Sequence, residues 1–126
     1  RDSVNLRDER IFPTFPLCPD ENDIDSDFYT PVGYMYRPKR HWCLLAEITH
    51  VEYLFRLRLL TKDKSGVDFP IAFHLDEDRG SLDLNLFKVG RTIAILYPHQ
   101  HGFLDMTVGI RQEAATTIKV GVDYLQ

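Results

Sequence analysis

The chain has 126 residues, 15 Lys and Arg against 19 Asp and Glu for a net charge of −4, and 44% hydrophobic residues. That is one domain's length with enough apolar mass for a single core. It holds no apolar run near the ~20 residues of a membrane span, and its acidity argues against a strongly basic surface that coats nucleic acid.

Charge is unevenly placed: residues 1–36 hold three Arg against eight Asp and Glu, and residues 37–126 hold twelve Lys and Arg against eleven. An acidic arm therefore precedes a neutral body. The charges at Arg1, Asp2, Arg7, Asp8, Glu9 and Arg10 rule out a secretory signal at this start, so the chain reads as soluble, and as either an excised piece or a processed mature end. Cys18 and Cys43 lack CxxC spacing and a second pair, which excludes a Cys-rich zinc site. Reduced thiols in a cytoplasmic protein are favoured over one optional disulfide.

In chain order, residues 1–36 carry Pro13, Pro16, Pro19 and Pro31 around the acidic run 20–27, with unphased Ile11, Phe12, Phe15, Leu17, Phe28 and Tyr29. This predicts an extended arm lying on the body through its aromatics. Residues 42–50 (WCLLAEITH) and 53–62 (YLFRLRLLTK) read as strands. The second places Tyr53, Phe55, Leu57 and Leu59 on one face and Arg56 and Arg58 on the other. The turn KDKSG at 62–66 closes a hairpin onto a strand at 67–74, where Pro70 predicts an edge or a bulge. Residues 81–88 (SLDLNLFK) fit a short helix with Ser81 as N-cap and Val89-Gly90 as its end. Strands at 91–97, 106–112 and 116–122 follow, the last two as a pair.

Three strands, a short helix, a fourth strand and a closing strand are the order of a mainly β, OB-like five-stranded barrel with an extended N-terminal arm. An SH3-like barrel is the alternative, and a sandwich the third. The domain reading is an arm over 1–36 and a barrel over 37–126.

Three stretches carry candidate chemistry. In YPHQHGFLD (97–105), Pro98 must end the preceding strand, leaving His99 and His101 in a loop. If that loop is extended, the two imidazoles stand roughly 6–7 Å apart on one side. They could divide base and acid roles in cutting at a ribose 2′-hydroxyl, with Asp105 or Glu113 orienting one and Arg111 or Arg91 meeting the phosphate. No cofactor is required. A divalent metal is possible: Asp105 is the one local addition to His99 and His101, with His74 and Asp76 joining if folding brings their loop across. The plainer reading is a hairpin tip with Gly102 at the turn. His74, beside Asp76, Glu77 and Asp78, is a partner of that site and otherwise a solvated loop. Arg37, Lys39, Arg40 and Trp42, with Tyr53, Arg56 and Arg58, could grip phosphates and stack a base. Their plainer alternative is a linker paired with the acidic arm, with Trp42 in the core.

The stretches RPKRHWCLLAEI, KDKSGVDFPIAFH and FKVGRTIAILYPHQHGFLDMTVGIRQE resemble a segment of basidiomycete MYND-type zinc-finger proteins that lies outside the finger. That resemblance carries over no zinc site and no peptide recognition by the finger. In size and implied mushroom source the chain is also similar to ribotoxin-like proteins of edible mushrooms, which cut one bond of the large ribosomal RNA. That likeness implies an RNA-directed endoribonuclease acting on ribosomal RNA or the ribosome through this chain's own residues, with His99, His101, Asp105, His74, Glu113 and Arg111 as the catalytic candidates. The alternative is a non-catalytic module that docks a peptide or a neighbouring domain along a barrel edge.

Overall fold

A computed structural model describes residues 5–53, 55–75 and 82–121. Among these, nine strands form: β1 (Tyr29–Val32), β2 (Met35–Pro38), β3 (Cys43–Tyr53), β4 (Leu57–Asp63), β5 (Asp68–Phe73), β6 (Thr92–Leu96), β7 (His101–Gly102), β8 (Val108–Gln112) and β9 (Ile118–Gly121). One-turn 3-10 helices lie at Phe15–Leu17 and Leu84–Leu86. Strands β1 and β2 make a hairpin of their own, and the others form one sheet in the order β7-β8-β5-β4-β3-β6-β9. Among the described residues no helix is long and apolar enough to cross a membrane.

The 11-residue β3 alternates buried Leu44, Ala46 and Ile48 with exposed Glu47 and Thr49, the period of a half-buried strand. It serves two neighbours: its first half pairs antiparallel with β6, from Cys43↔Leu96 to Glu47↔Thr92, and its second half with β4, out to Tyr53↔Leu57. The register shifts between Ile48 and His50, and this bulge bends the strand from one partner to the other. A meander of β3, β4 and β5, with β6 returning to β3 and β8 running parallel to β5, is the strand arrangement of the OB barrel. The expected fold class is thus the observed one, and the SH3-like and sandwich alternatives do not describe it.

Ile48, Leu59, Ile71, Ile93, Ile95 and Ile110 are fully buried at the centre. Each is worth about 1.5–3 kcal/mol of burial. Phe69 and Phe73 both face inward on β5: Phe15 stacks on Phe69 with ring centroids 4.3 Å apart, and Phe87 meets Phe73 edge-on at 5.3 Å. A second aromatic cluster lies outside this core. There Trp42, fully buried, is surrounded by Phe28, Tyr29, Tyr97 and His99 at 4.9–5.9 Å.

Several elements depart from the expected ones. Tyr53 ends β3 instead of opening β4, which begins at Leu57 after a bend at Phe55 and Arg56. Tyr53 and Phe55 are exposed, while Leu57 and Leu59 face the core. The helix expected over 81–88 is a single turn at Leu84–Leu86, capped by the Asp83 carboxylate, which accepts the Asn85 N–H; Ser81 lies outside the described residues. Strands β8 and β9 are not paired with each other: β9 ends the sheet order beside β6, and β8 lies toward the other end between β7 and β5. The Gln112 amide spans the gap, donating to Thr117 Oγ1 and the Ala114 carbonyl at 2.7 Å each. Pro70 is in an interior strand, yet β8 pairs only with Ile71–Phe73. It precedes that ladder and removes no donor from it.

Candidate functional site

From Tyr97 to His101 each residue reaches back to an earlier part of the chain. Tyr97, at φ 56, ends β6; its N–H donates to the Trp42 carbonyl at 3.1 Å and its hydroxyl contacts His41 Nδ1. The Pro98 carbonyl accepts the Trp42 indole N–H at 3.2 Å. His99 Nε2 lies 2.6 Å from the Tyr29 hydroxyl, with the two rings stacked. Gln100 donates its side-chain amide to the carbonyls of Cys18, Pro16 and Phe15 at 2.9, 3.2 and 3.3 Å. His101 Nδ1 meets the Glu21 carboxylate. This segment is a clasp that fastens residues 15–29 to the barrel.

Gly102 is a strand residue, and the chain turns beyond it, at Leu104–Met106, with Met106 at φ 73. The histidines are therefore neither at a tip nor freely presented. Burial pushes the His99 imidazole below its usual value, only partly offset by Glu21 and Asp20, so it is neutral at neutral pH.

The remaining catalytic candidates scatter. Asp105 is exposed and folds its own turn, accepting the Thr107 N–H at 3.0 Å and hydroxyl at 2.6 Å. Those bonds, with the Arg58 charge nearby, hold its carboxyl below the usual range. Arg111 pairs with Glu113 at 3.2 Å. The His74 backbone N–H donates to the Gln112 carbonyl at 2.8 Å. His99, Arg111 and Glu113 do line one open depression of about 310 Å³, together with Glu21 and Thr117. His101, Asp105 and His74 are not in its described walls. No cluster of three or more His, Cys, Asp or Glu groups converges among the described residues, and Asp76 of the conditional metal set lies outside them. Both cysteines are free thiols, and burial pushes Cys18 up to about 12.

The basic candidates also divide. Arg40 is a structural clamp: Nε donates to the Arg10 carbonyl at 2.8 Å, Nη1 to that of Asp27 at 2.6 Å, and the guanidinium covers the Phe28 ring. Arg91 donates to the Leu86 carbonyl at 3.1 Å and steadies the 3-10 turn. Trp42 is enclosed and has no ring face open to a base. Arg37 and Lys39 stand exposed on β2 and just after it. Arg56 and Arg58 belong to the sheet face treated next, whereas Tyr53, paired with Leu57, lines a separate small depression with Arg56, Leu57 and Phe73.

On the outer face of the sheet, cross-strand pairing aligns Glu52, Arg58, Ala72 and Arg111 in one row and His50, Leu60 and Pro70 in the next. Two open depressions cross these rows. One, of about 330 Å³, is lined by Thr49, Arg58, Leu60, Pro70 and Thr107, and the other, of about 340 Å³, by Glu52, Phe55, Arg56, Arg58 and Ala72. Arg58 stands in both, so they make one groove. Phe55, 89% exposed, marks one rim, and at the turn beyond the other rim are Leu104 and Met106, 105% and 90% exposed.

The groove's lining charges balance, Glu52 and Asp68 against Arg56 and Arg58. Arg58 pairs with Glu52 at 2.9 Å and, beside the groove, Lys62 with Asp68 at 4.0 Å and Arg111 with Glu113. The sequence points to Arg56 and Arg58 but not to Phe55, Leu104 or Met106 as rim residues. Alternation puts Phe55 on the core face and Met106 in a strand, and neither is where the chain places them.

No protein-family model matches the chain, and no characterised protein matches it in sequence. In structure it is similar to Schizosaccharomyces pombe Pot1pC bound to ssDNA, with a TM-score of 0.52 at 9% identity over 76% of this chain and 88% of that one. It is also similar to the S. pombe Stn1–Ten1 complex (TM-score 0.46, 16% identity, 69% of this chain, 62% of that one). A replication protein A heterotrimer bound to ssDNA gives a TM-score of 0.46 at 9% identity, over 70% of this chain and 62% of that one. The chain thus spans less than two thirds of two of these three. At such identities the likeness is one of fold, the OB barrel.

Proposed function

We propose that the chain binds single-stranded nucleic acid along the groove of β4 and β5. The observation that carries this is the open groove itself: strand-face residues form its floor, and exposed Phe55 and the 103–107 turn rise at its sides. A single strand, unlike a duplex, offers base faces to such apolar rims, and one stacked base is worth about 1–3 kcal/mol. Arg58, Lys62 and Arg111 are tied to carboxylates, so affinity in the groove rests on stacking more than on phosphate charge, and it discriminates little by sequence. An OB-fold neighbour that is itself bound to ssDNA, Pot1pC, supports the reading. RNA is the strand expected from sequence.

A second reading, endonucleolytic cleavage of ribosomal RNA in the ribotoxin-like manner, draws on one observation: His99, Arg111 and Glu113 share a depression. In that reading His99, neutral at neutral pH, takes the 2′-hydroxyl proton once Tyr29 releases its Nε2, and Arg111 meets the phosphate.

One experiment separates them. Labelled single-stranded RNA and DNA of about 15 nucleotides, a length within the range one OB fold spans, are titrated with the chain and then run on a denaturing gel, with ribosomes treated in parallel. Binding that falls about tenfold in Phe55→Ala, with intact strands and intact ribosomal RNA, supports the groove reading. A discrete ribosomal-RNA fragment that disappears in His99→Gln supports the second. Absence of binding and of cleavage rejects both and leaves the peptide-docking alternative.

A further inference from the structure

The neutral groove leaves open where phosphate charge is met, and the β1–β2 hairpin answers it. From Phe28 to Ala46 the chain contains no Asp or Glu, although the molecule has 19 of them. Arg37 and Lys39 have no hydrogen-bond or ion-pair partner for their side chains among the described residues, unlike Arg58, Lys62 and Arg111 in and beside the groove. The hairpin tip presents Tyr34 at 106%, Met35 at 74% and Tyr36 at 52% exposure. A two-stranded hairpin is marginal by itself. Bare aromatic and cationic side chains on one that pairs with no other described strand are therefore an unused binding surface.

Its root, by contrast, is fixed. Tyr29 is held by His99 and packs on Trp42, and the Lys39 N–H donates to the Phe28 carbonyl at 2.7 Å. Register places Thr30, Val32, Met35 and Arg37 on the face opposite Tyr29, which therefore turns outward. One chain segment reaches both hairpin and groove. The segment that grips Tyr29 through His99 continues to Thr107, which lines the groove.

We infer that the β1–β2 hairpin is a second contact for the same single strand, Arg37 and Lys39 meeting phosphates and Tyr34 at the tip stacking a base. The inference rests on the groove reading and adds to it a longer site and the source of its salt dependence. A strand that fills only the groove makes little use of the hairpin, and one that runs past the 97–107 segment engages it.

The test is fluorescence anisotropy of the full chain with single strands of about 6 and about 20 nucleotides, bracketing one OB-fold site, between about 50 and 200 mM salt. Arg37→Ser/Lys39→Ser is expected to lose on the order of tenfold affinity for the longer strand at low salt. Its log–log salt slope falls by about 1.4, or about 0.7 for each phosphate no longer neutralised. The preference for the longer strand shrinks accordingly. Tyr34→Ser is expected to lose on the order of tenfold as well, with the slope retained. Among the described residues these side chains make no hydrogen bond, ion pair or ring contact, and Trp42 emission verifies each variant. Tight binding of both strands with an unaltered slope in Arg37→Ser/Lys39→Ser overturns the hairpin's part and leaves the groove reading standing. Failure of the unmodified chain to bind either strand overturns both. Displacement of the longer strand by polyglutamate as readily as by unlabelled oligonucleotide also overturns the inference, marking the hairpin as a surface for acidic protein.

Discussion

Asp63 shows how much one side chain can organise. It is buried, and its Oδ1 accepts from the Ser65 N–H, the Ser65 hydroxyl and the Val67 N–H at 2.7–2.9 Å, while Oδ2 accepts the Phe15 N–H at 2.8 Å. One carboxylate thus closes the β4–β5 turn and pins the arm above Phe69. Burial opposes its charge, but these donors outweigh that and hold the carboxyl below its ordinary 3.8. A folded value below the unfolded one means its stabilisation is complete above about pH 4 and is lost as pH falls through the lower folded value. Asp63→Asn is expected to cost about 2–4 kcal/mol at pH 7, read by denaturant unfolding, with the gap to the parent closing below pH 4. A gap that persists into acid would contradict the assignment. In the sequence, Asp63 is legible as a turn residue. Its bond to Phe15, 48 positions away, leaves no local pattern.

At the scale of elements, alternation and turn chemistry carry most of what can be read locally. Leu57 and Leu59 against Arg58, the DKSG turn with Gly66 at φ +90, and Pro98 ending a strand all follow from local rules. What escapes those rules is non-local. The clasp at Tyr97–His101 looks like a free histidine loop because its partners stand some 56 to 85 residues earlier. The pairing of β8 with β5, and not with β9, is likewise set by the barrel and not by spacing. Gly109 marks that contact: a Cβ there would come within 2.2 Å of the Pro70 carbonyl oxygen, backbone that cannot step aside. Gly109→Ala is expected to destabilise by about 3 kcal/mol, with faster amide exchange in β5 and β8 than in β3 and β6. Uniform exchange across the sheet would show that β8 is not seated on β5 in this way.

For the whole molecule, the net charge of −4 hides a division of labour. Acid is concentrated in residues 1–36, the charges lining the groove balance, and, among the described residues, unpaired cations stand at the β1–β2 hairpin. The composition argues against a uniformly basic surface, and the described residues form none; they form an apolar-rimmed groove with a separate basic hairpin. That distinction is invisible in counts, because a paired and an unpaired Arg are the same letter.

The most direct measurement is a titration of the isotopically labelled chain with a single strand of about 10 nucleotides, within one OB-fold site, following backbone amide shifts. The result expected is a contiguous set of shifts at Arg58, Leu60, Ala72 and Thr107, with Phe55 at its edge. Shifts confined to Glu21, Glu113 and Thr117, or none at saturating strand, would contradict the groove as the site.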